Sequence, residues 1–393
     1  MSKGWPDPLA AARACAPAIA ARAAEIEGAR RLPADLAASL SADGLMHLFL
    51  PADCGGPEAM PAQGLAAIRE IARADGAAGW CVMIAATSAL TAAWLPAAEA
   101  RAIFAAPDGG LPPIAGGVYA PLGGARRVDG GYRLSGRWPW ASGSANCRWL
   151  LGGALVPPPA AGEAAPGGEA RPEMRLFLFP AAEAVLHDTW HVAGLCGTGS
   201  GDMEVADILV PAARSLSLAG GRPRLDAPLY AFPIFGLLAL GVASVALGIA
   251  RGALDDLTGL ARAKRPQGAR RTLAGRPHVQ AEVAACEAAW RAALAFVDSA
   301  VAEACDGAVS GAGLTLSHRA ALRLAASHAT GVAADVTGRM YRLAGGSAVF
   351  SSHPLQRRLR DVNMATQHAM VAQPVLEVAG RVLLEQEVDA AEL

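Results

Sequence analysis

The sequence predicts a mainly α-helical protein with a central β domain, because three stretches of different composition and periodicity follow one another along its 393 residues. Residues 1–107 and 220–393 are rich in alanine and leucine at helical spacing, whereas residues 108–219 hold short apolar runs punctuated by glycine. A chain of this length is longer than one compact core usually holds. We therefore expect an N-terminal helical domain, a middle β domain and a C-terminal helical bundle with those boundaries.

In the N-terminal part, apolar residues recur at the spacing of one helix face. Leu36 and Leu40 follow such a pattern, and residues 64–77 follow another. The proline and paired glycines of residues 50–60 separate the two helices. Residues 1–33 contain dispersed acidic residues and no leucine-rich stretch, so they predict a first helix rather than a targeting segment.

The middle part contains apolar runs of strand length at residues 149–156 and 174–179, and an alternating run at residues 132–134. Residues 157–172, between the two apolar runs, are rich in proline, glycine and alanine. Such a composition predicts an exposed loop that joins two strands.

The C-terminal part predicts three long helices, over residues 231–262, 277–306 and 316–343. The first contains an uncharged run, residues 231–250, which is long enough to span a bilayer. Its glycines suit close packing and the helix continues into Arg251, so we interpret it as a buried central helix. A transmembrane span is the weaker alternative, and no second segment of this kind is expected.

Composition argues against several classes of partner. The formal net charge is −1 and hydrophobic residues make up 53%, so there is no electrostatic basis for binding nucleic acid or an anionic membrane. The seven cysteines form no CxxC pair, which favours free thiols in a reducing cytoplasm over disulfides or a zinc site. His187 and His191 are four residues apart but lie in a predicted strand without a third ligand, so we expect no metal.

Three segments carry the sharpest motifs: GGYRLSGRWPWASG at residues 130–143, WHVAGLCGTGS at residues 190–200, and residues 343–368, which end in PLQRRLRDVNMATQH. Together with the order of helices, sheet and helices, they resemble the acyl-CoA dehydrogenase superfamily over nearly the whole chain. The resemblance implies an acyl-CoA dehydrogenase-like fold, in which the middle domain is a β-barrel or sandwich. Within the superfamily the chain looks most like the flavin-dependent two-component monooxygenases, or hydroxylases.

Residues 366–369 distinguish this chain from the dehydrogenases of the superfamily. In the dehydrogenases, Glu-Gly-Thr follows the Arg-Asp of this segment, and the glutamate removes the substrate α-proton. Here the corresponding residues are Thr-Gln-His-Ala. Some dehydrogenases carry the glutamate on the central helix instead, but the corresponding run here, residues 235–252, contains no acid. An imidazole in place of the carboxylate indicates a different reaction on the same scaffold.

The resemblance implies the oxygenase component of a two-component flavin-dependent monooxygenase. Such an enzyme hydroxylates a small aromatic or heteroaromatic substrate through a flavin C4a-hydroperoxide. The resemblance further implies reduced FMN or FAD as cofactor, molecular oxygen as co-substrate, and a homotetramer. No GxGxxG fingerprint follows a predicted strand, so we expect a separate NAD(P)H-dependent flavin reductase rather than a built-in nicotinamide domain.

His368 and Ser142 are the expected catalytic residues. By resemblance, His368 supports the flavin hydroperoxide and Ser142 lies near flavin N5, with Ser144 as the fallback. An imidazole can donate a hydrogen bond to a peroxide oxygen near neutral pH, which a carboxylate cannot do.

The segment that leads to His368 predicts a helix opened by Pro354. On that helix Arg357, Asp361 and Met364 would share one face with His368. We expect Asp361 and Arg357 to pair, which leaves the imidazole beyond them.

Further flavin contacts are expected on either side of Ser142. Trp138 and Trp140 alternate in a predicted strand and offer apolar faces, while Gly143 leaves room for a ring. By resemblance, the second motif offers backbone amides and hydroxyls to the flavin at three positions: Gly197, Thr198 and Ser200.

The expected substrate pocket includes Trp80, Ser88 and Met364. In phenol-hydroxylating relatives, a histidine that polarises the phenol lies on the helix after Gly-Trp, and Ser88 stands at about that place here. An indole, another heteroaromatic or a less polar ring is therefore a better candidate than a phenol.

Two alternatives remain open at this point. The first is an acyl-CoA dehydrogenase-type flavoprotein that oxidises a CH–CH bond with an unrecognised base. The second is a catalytically degenerate paralogue that only binds flavin.

Overall fold

The computed structural model describes residues 4–106, 110–158, 172–217, 221–310, 313–389 and 393. In the N-terminal part, the helices have the following bounds: α1 Pro8–Ala21, α2 Ala23–Ala29, α3 Ala34–Ala42, α4 Pro61–Ala74, α5 Gly76–Ala89 and α6 Ala97–Phe104. The Asp75 side chain accepts a hydrogen bond from the Ala78 amide and so caps α5. All of α5 is buried except Ile84, which marks the side of this helix that faces a cavity.

The described residues of the middle part form one mixed sheet with these strands: β1 Ala115–Val128, β2 Gly131–Trp138, β3 Trp149–Val156, β4 Glu173–Pro180, β5 Val185–His187, β6 Asp202–Pro211 and β7 Ser215–Leu216. The strand order is β5-β6-β2-β1-β3-β4-β7, in which β1 and β3 are parallel and the other neighbours are antiparallel. The predicted strands at 149–156 and 174–179 are confirmed. Most of the predicted loop, residues 159–171, lies outside the described residues.

The C-terminal part is helical again, with α7 Pro228–Ala231, α8 Ile234–Ala263, α9 Pro277–Val309, α10 Leu316–Ala344, α11 Pro354–Ala365 and α12 Gln373–Leu383. The three long predicted helices correspond to α8, α9 and α10. Pro354 is the first residue of α11, as predicted, and the His353 side chain accepts a hydrogen bond from the Leu355 amide at this helix start.

The helical core has α8 at its centre, packed against α4, α5 and α10. Among the described residues, two helical segments are long and apolar enough to cross a bilayer, Gly76–Trp94 and Ile234–Ala263. In their most apolar stretches, 94% and 89% of the residues are buried in the fold. The expectation of a single such segment was therefore wrong, because Gly76–Trp94 is also uncharged. The burial of both segments favours core helices.

The order helices, mixed sheet, helices is that of the acyl-CoA dehydrogenase-like fold predicted from the sequence. The predicted boundary at 107/108 falls between α6 and β1, and the one at 219/220 falls between β7 and α7. The division into three separate domains stays a prediction.

Candidate active site

A cavity of about 480 Å³ lies where the sheet meets α5, α8 and the segment after α11. Its walls are mainly apolar, with a few polar groups among them, which is the usual character of a small-molecule site. Seven of the residues expected from the sequence line it: Trp80, Trp140, Ser142, Thr198, Ser200, Met364 and His368.

His368 lies in the turn that follows α11, not on the helix itself, which ends at Ala365. Its ring meets the Trp80 ring edge to face, with centroids 5.6 Å apart and an interplanar angle of 66°. The Met370 amide donates a hydrogen bond to Nδ1 at 3.2 Å. The proton of the neutral imidazole is therefore assigned to Nε2, which leaves that N–H as a donor.

The surroundings of His368 keep its imidazole neutral. Burial, and to a lesser degree the positive charge of Arg323, lower the pKa of His368 to about 4. At neutral pH this residue holds one proton, on Nε2, and can act as a hydrogen-bond donor without carrying a charge.

A chain of hydroxyls forms the sheet side of the cavity. The Trp80 indole N–H donates to Ser142 Oγ at 3.1 Å, Ser142 Oγ lies 2.6 Å from Ser200 Oγ, and Ser200 Oγ lies 2.6 Å from Thr198 Oγ1. Thr198 Oγ1 donates to the Leu195 carbonyl oxygen at 2.8 Å. Backbone bonds from Ala141 to Gly201 and from Gly143 to Thr198 hold the two segments side by side.

The direction of this chain follows from its last member. A carbonyl oxygen only accepts, so the Thr198 proton is committed to Leu195, and Thr198 must accept from Ser200. Ser200 in turn accepts from Ser142. Ser142 therefore has its own proton engaged and keeps acceptor capacity for one more donor.

Trp138 does not line the cavity, which corrects its assignment as a flavin contact. The side chain is fully buried in the sheet core, and its indole N–H donates to the Gly153 carbonyl oxygen at 2.7 Å. Added Cβ atoms on three glycines would meet its ring at 2.5 to 2.7 Å: Gly123, Gly136 and Gly152. The ring fills the space that these glycines leave.

Trp140 lies at the mouth of the cavity with 64% of its surface exposed. Strand β2 ends at Trp138, and Trp140 has a φ of 66°, a left-handed conformation that is rare for a bulky residue. The expected alternation of Trp138 and Trp140 on one strand is therefore wrong. The backbone turns between them and places one ring in the core and the other at the cavity.

Four further expected residues pack next to the cavity instead of lining it. Gly143 has a φ of 71° but no close contact, so it permits a turn, and Ser144 is buried behind that turn. Gly197 packs under α2, where an added Cβ would lie 2.2 Å from Ile26 Cγ2. Ser88 lies on α5 beyond Ile84 and is fully buried near Tyr119.

Asp361 does not pair with Arg357 as expected. Its Oδ1 accepts a hydrogen bond from the Leu195 amide at 2.6 Å, across a separation of 166 residues. Arg357 instead lies 3.9 Å from Asp75 and 3.8 Å from Glu27. Asp361 thus holds Leu195, which has a left-handed φ of 51° and lines the cavity just before the hydroxyl chain.

Several lining residues were not found from the sequence, among them Tyr119, Trp190, Phe235 and Leu238. Phe235 and Leu238 belong to the uncharged run of the central helix, so they had been interpreted as core only. Ile84 could have been predicted from the sequence, because it lies four residues after Trp80 on the same helix face. Tyr119 comes from β1, whose pairing with β3 is irregular after Val118 and has no local signature.

The two tryptophans provide a direct test of their assignments. Trp138→Ala should lower the free energy of unfolding by about 3–5 kcal/mol, because it leaves a large void in the sheet core. Trp140→Ala should change it by less than about 1 kcal/mol, because the side chain is largely exposed, while it weakens flavin binding. Urea denaturation and a flavin titration separate the two effects, and equal destabilisation by both variants would contradict the assignments.

The chain matches two family models. Residues 9–98 match the one described as Acyl-CoA dehydrogenase, N-terminal domain, and residues 240–373 match Acyl-CoA dehydrogenase, C-terminal domain. An indole-3-acetate monooxygenase of Pseudomonas putida is 33% identical over 361 residues, which cover 92% of this chain and 89% of that protein. The chain belongs to the acyl-CoA dehydrogenase superfamily.

Other relatives identify the branch of the superfamily to which the chain belongs. The oxygenase component of an FADH(2)-dependent resorcinol hydroxylase from Rhizobium sp. is 31% identical, with 88% of this chain and 86% of that protein covered. The crystal structure of 3-HSA hydroxylase from Rhodococcus sp. RHA1 is similar at a TM-score of 0.88, with 26% identity and 99% of both chains covered. The predicted placement among the flavin-dependent two-component monooxygenases is confirmed.

Proposed function

We propose that this oxygenase component holds reduced flavin against Trp140 and Ser142 and hydroxylates a small aromatic or heteroaromatic substrate placed between Trp80 and His368. The observation that carries the proposal is the pairing of a neutral imidazole and an accepting hydroxyl at one cavity. Among the described residues that line this cavity, none is an aspartate or glutamate. A base for the oxidation of an acyl-CoA is therefore not found there.

The donors and acceptors present fit a reduced flavin. Its N5–H is a donor, and Ser142 Oγ retains acceptor capacity because its own proton is directed to Ser200. Trp140 offers a large exposed ring face at the mouth of the same cavity, suited to contact with an aromatic ring system. These residues support Ser142 and Trp140 as the flavin contacts.

The reaction places one atom of O₂ in an aromatic C–H bond as hydroxyl and releases the other as water. Bound reduced flavin would supply the two electrons and two protons that this balance needs. The apolar walls limit access of water to the site. His368 holds its proton at Nε2, where it donates a hydrogen bond to oxygen without placing an additional charge in the cavity.

The reductase, the identity of the flavin and the oligomeric state are also proposals. Oxygenase components of this class imply a separate flavin reductase, which we expect to be NAD(P)H-dependent. The named cofactor of the Rhizobium relative makes FADH₂ the first candidate and FMNH₂ the second. We also propose a homotetramer, the assembly that the family resemblance implies. Apolar side chains that the helical bundle leaves exposed, among them Phe296 at 39% and Leu376 at 44%, support association of subunits.

The test supplies the protein with chemically reduced FAD or FMN, ¹⁸O₂ and an aromatic probe, either indole-3-acetate or resorcinol. We expect a hydroxylated product that carries one ¹⁸O atom, formed without NAD(P)H or a reductase. Reduction of the oxidised flavin by an acyl-CoA would establish the dehydrogenase alternative. Flavin binding without product from either probe would support the degenerate paralogue.

A further inference from the structure

Arg323 is a buried cation that has no anionic partner in the part of the chain that the structure describes. It lies on α10 with 4% of its surface exposed. Its Nε has no hydrogen-bond partner among the described residues, and none of their carboxylates forms an ion pair with its guanidinium. The contact it does make is from Nη1 to the thioether of Met370, at 3.4 Å.

Such a contact does not compensate for the burial of the charge. A thioether sulfur is a weak acceptor, whereas a guanidinium presents five N–H donors and stays protonated in proteins. Burial lowers the pKa of Arg323 to about 10, and no acid among the described residues opposes this effect. An unpaired buried charge is costly unless an anion arrives to pair with it.

The position of Arg323 indicates where that anion would come from. Met370 and His368 both line the cavity, and Arg323 touches the first and lies close enough to the second to lower its pKa. Next to them, Phe235 and Leu238 contribute apolar wall suited to an aromatic ring. The methionine side chain is flexible, so its contact with the guanidinium can yield to a stronger acceptor.

The flavin phosphate is a less suitable occupant. The residues proposed to contact the flavin, Trp140 and Ser142, follow β2 on the sheet side of the cavity. Arg323 belongs to a helix of the C-terminal bundle, behind the turn that carries His368. The substrate side of the cavity is therefore the nearer source of a negative charge.

We infer that Arg323 binds the carboxylate of the substrate, so that the substrate is an aromatic or heteroaromatic acid with a short carboxylated side chain. This inference rests on the proposed function, because it takes the cavity to be the substrate site. Arginine and carboxylate form two parallel charge-assisted hydrogen bonds, which fix the orientation of the ring as well as strengthen binding. The carboxylate would replace the Met370 thioether as the partner of the guanidinium.

The test compares a matched pair of probes, indole-3-acetate and 3-methylindole, which share the ring and differ in the carboxylate. Dissociation constants are measured by anaerobic calorimetry on the protein loaded with reduced flavin. Arg323→Met should weaken indole-3-acetate binding by about ten- to a hundredfold and change 3-methylindole binding by less than about threefold. Arg323→Lys should recover part of the loss, and Arg319→Met, one turn earlier on α10, should have no selective effect.

The same calorimetry and two further measurements could contradict the inference. An equal loss for both probes, or no preference of the unaltered protein for the acid, would overturn the inference. A selective loss of FMN over riboflavin in Arg323→Met would assign the guanidinium to the flavin phosphate and overturn it too. Dissociation of the oligomer in Arg323→Met would assign the guanidinium to an acidic residue of a second copy, and this result would also overturn the inference.

Thermal stability separates a ligand site from a structural role. Because Arg323→Met removes an unpaired buried charge, the variant should melt no lower than the unaltered protein in the absence of ligand. A marked loss of stability would indicate a structural role and overturn the inference. If binding depends on Arg323 but no hydroxylated product forms, the proposed function fails while the carboxylate site stands.

Discussion

His368→Ala should lower the hydroxylated product formed per reduced flavin by at least about tenfold, with the lost oxygen appearing as hydrogen peroxide. The variant removes the Nε2–H donor from the cavity and opens space for water beside Trp80, and positioned proton donors typically contribute a hundredfold or more. Product is quantified by chromatography and peroxide by a peroxidase-coupled assay on the same samples.

Two control variants sharpen this result. His368→Gln keeps an N–H donor without a titrating ring and should retain part of the coupling between oxygen use and product. His278→Ala removes an exposed histidine at the start of α9, which does not line the cavity, and should leave the coupling unchanged. Full coupling in His368→Ala at normal flavin occupancy would remove this residue from the reaction.

The pH dependence tests the protonation state. Since the pKa of His368 is lowered to about 4, its imidazole stays neutral throughout the range in which the protein is assayed. Coupling should therefore be constant between about pH 6 and 8, whereas an ordinary histidine would change its charge there. A decline of coupling as the pH rises through 6.5 would mean that the imidazolium is the active form.

The long helices were predictable because the apolar periodicity of a long helix repeats over many turns. Periodicity placed the central helix at residues 231–262 and the structure has it at Ile234–Ala263, and a proline opens α11 where its fixed φ suits a helix start. His368 and Ser142 were found from family motifs, not from any periodicity. The structure brings both to one cavity.

The positions of the Trp138 and Trp140 side chains were not predictable, because they depend on contacts beyond the local sequence pattern. Period-two alternation assumes a continuous strand, but β2 stops at Trp138 and the chain turns left-handed at Trp140. Two of the glycines that receive the Trp138 ring lie on β1 and β3, and only the strand register brings them there. Likewise, a single arginine in a helix predicts a side chain exposed to solvent, whereas Arg323 is buried.

Asp361→Ala should weaken flavin binding about tenfold or more, although no atom of Asp361 lines the cavity. The variant deprives the buried Leu195 amide of its acceptor, which costs about 1–3 kcal/mol. It also frees Leu195, whose carbonyl oxygen fixes the direction of the hydroxyl chain through Thr198. Without that restraint, Ser142 no longer keeps its acceptor capacity for the flavin.

Asp361→Asn is the matched control, because its amide oxygen can still accept from Leu195. It should bind flavin nearly as well as the unaltered protein, and it removes a charge that the site holds unfavourably. Burial, and secondarily the neighbouring carboxylate of Asp75, raise the pKa of Asp361 to about 7. A raised pKa means that the folded state prefers the protonated acid more strongly than the unfolded chain does.

The sign of the pH effect follows from that preference. For this group, the free energy of unfolding is highest below the unfolded pKa of about 4 and falls as the pH rises from there through about 7. Asp361→Asn lacks this decline, so its stability relative to the unaltered protein should increase between about pH 5 and 8. Urea denaturation at both pH values measures the difference. Parallel changes in the two proteins would mean that Asp361 is already ionised at pH 5, and that the Leu195 amide binds a carboxylate rather than an acid.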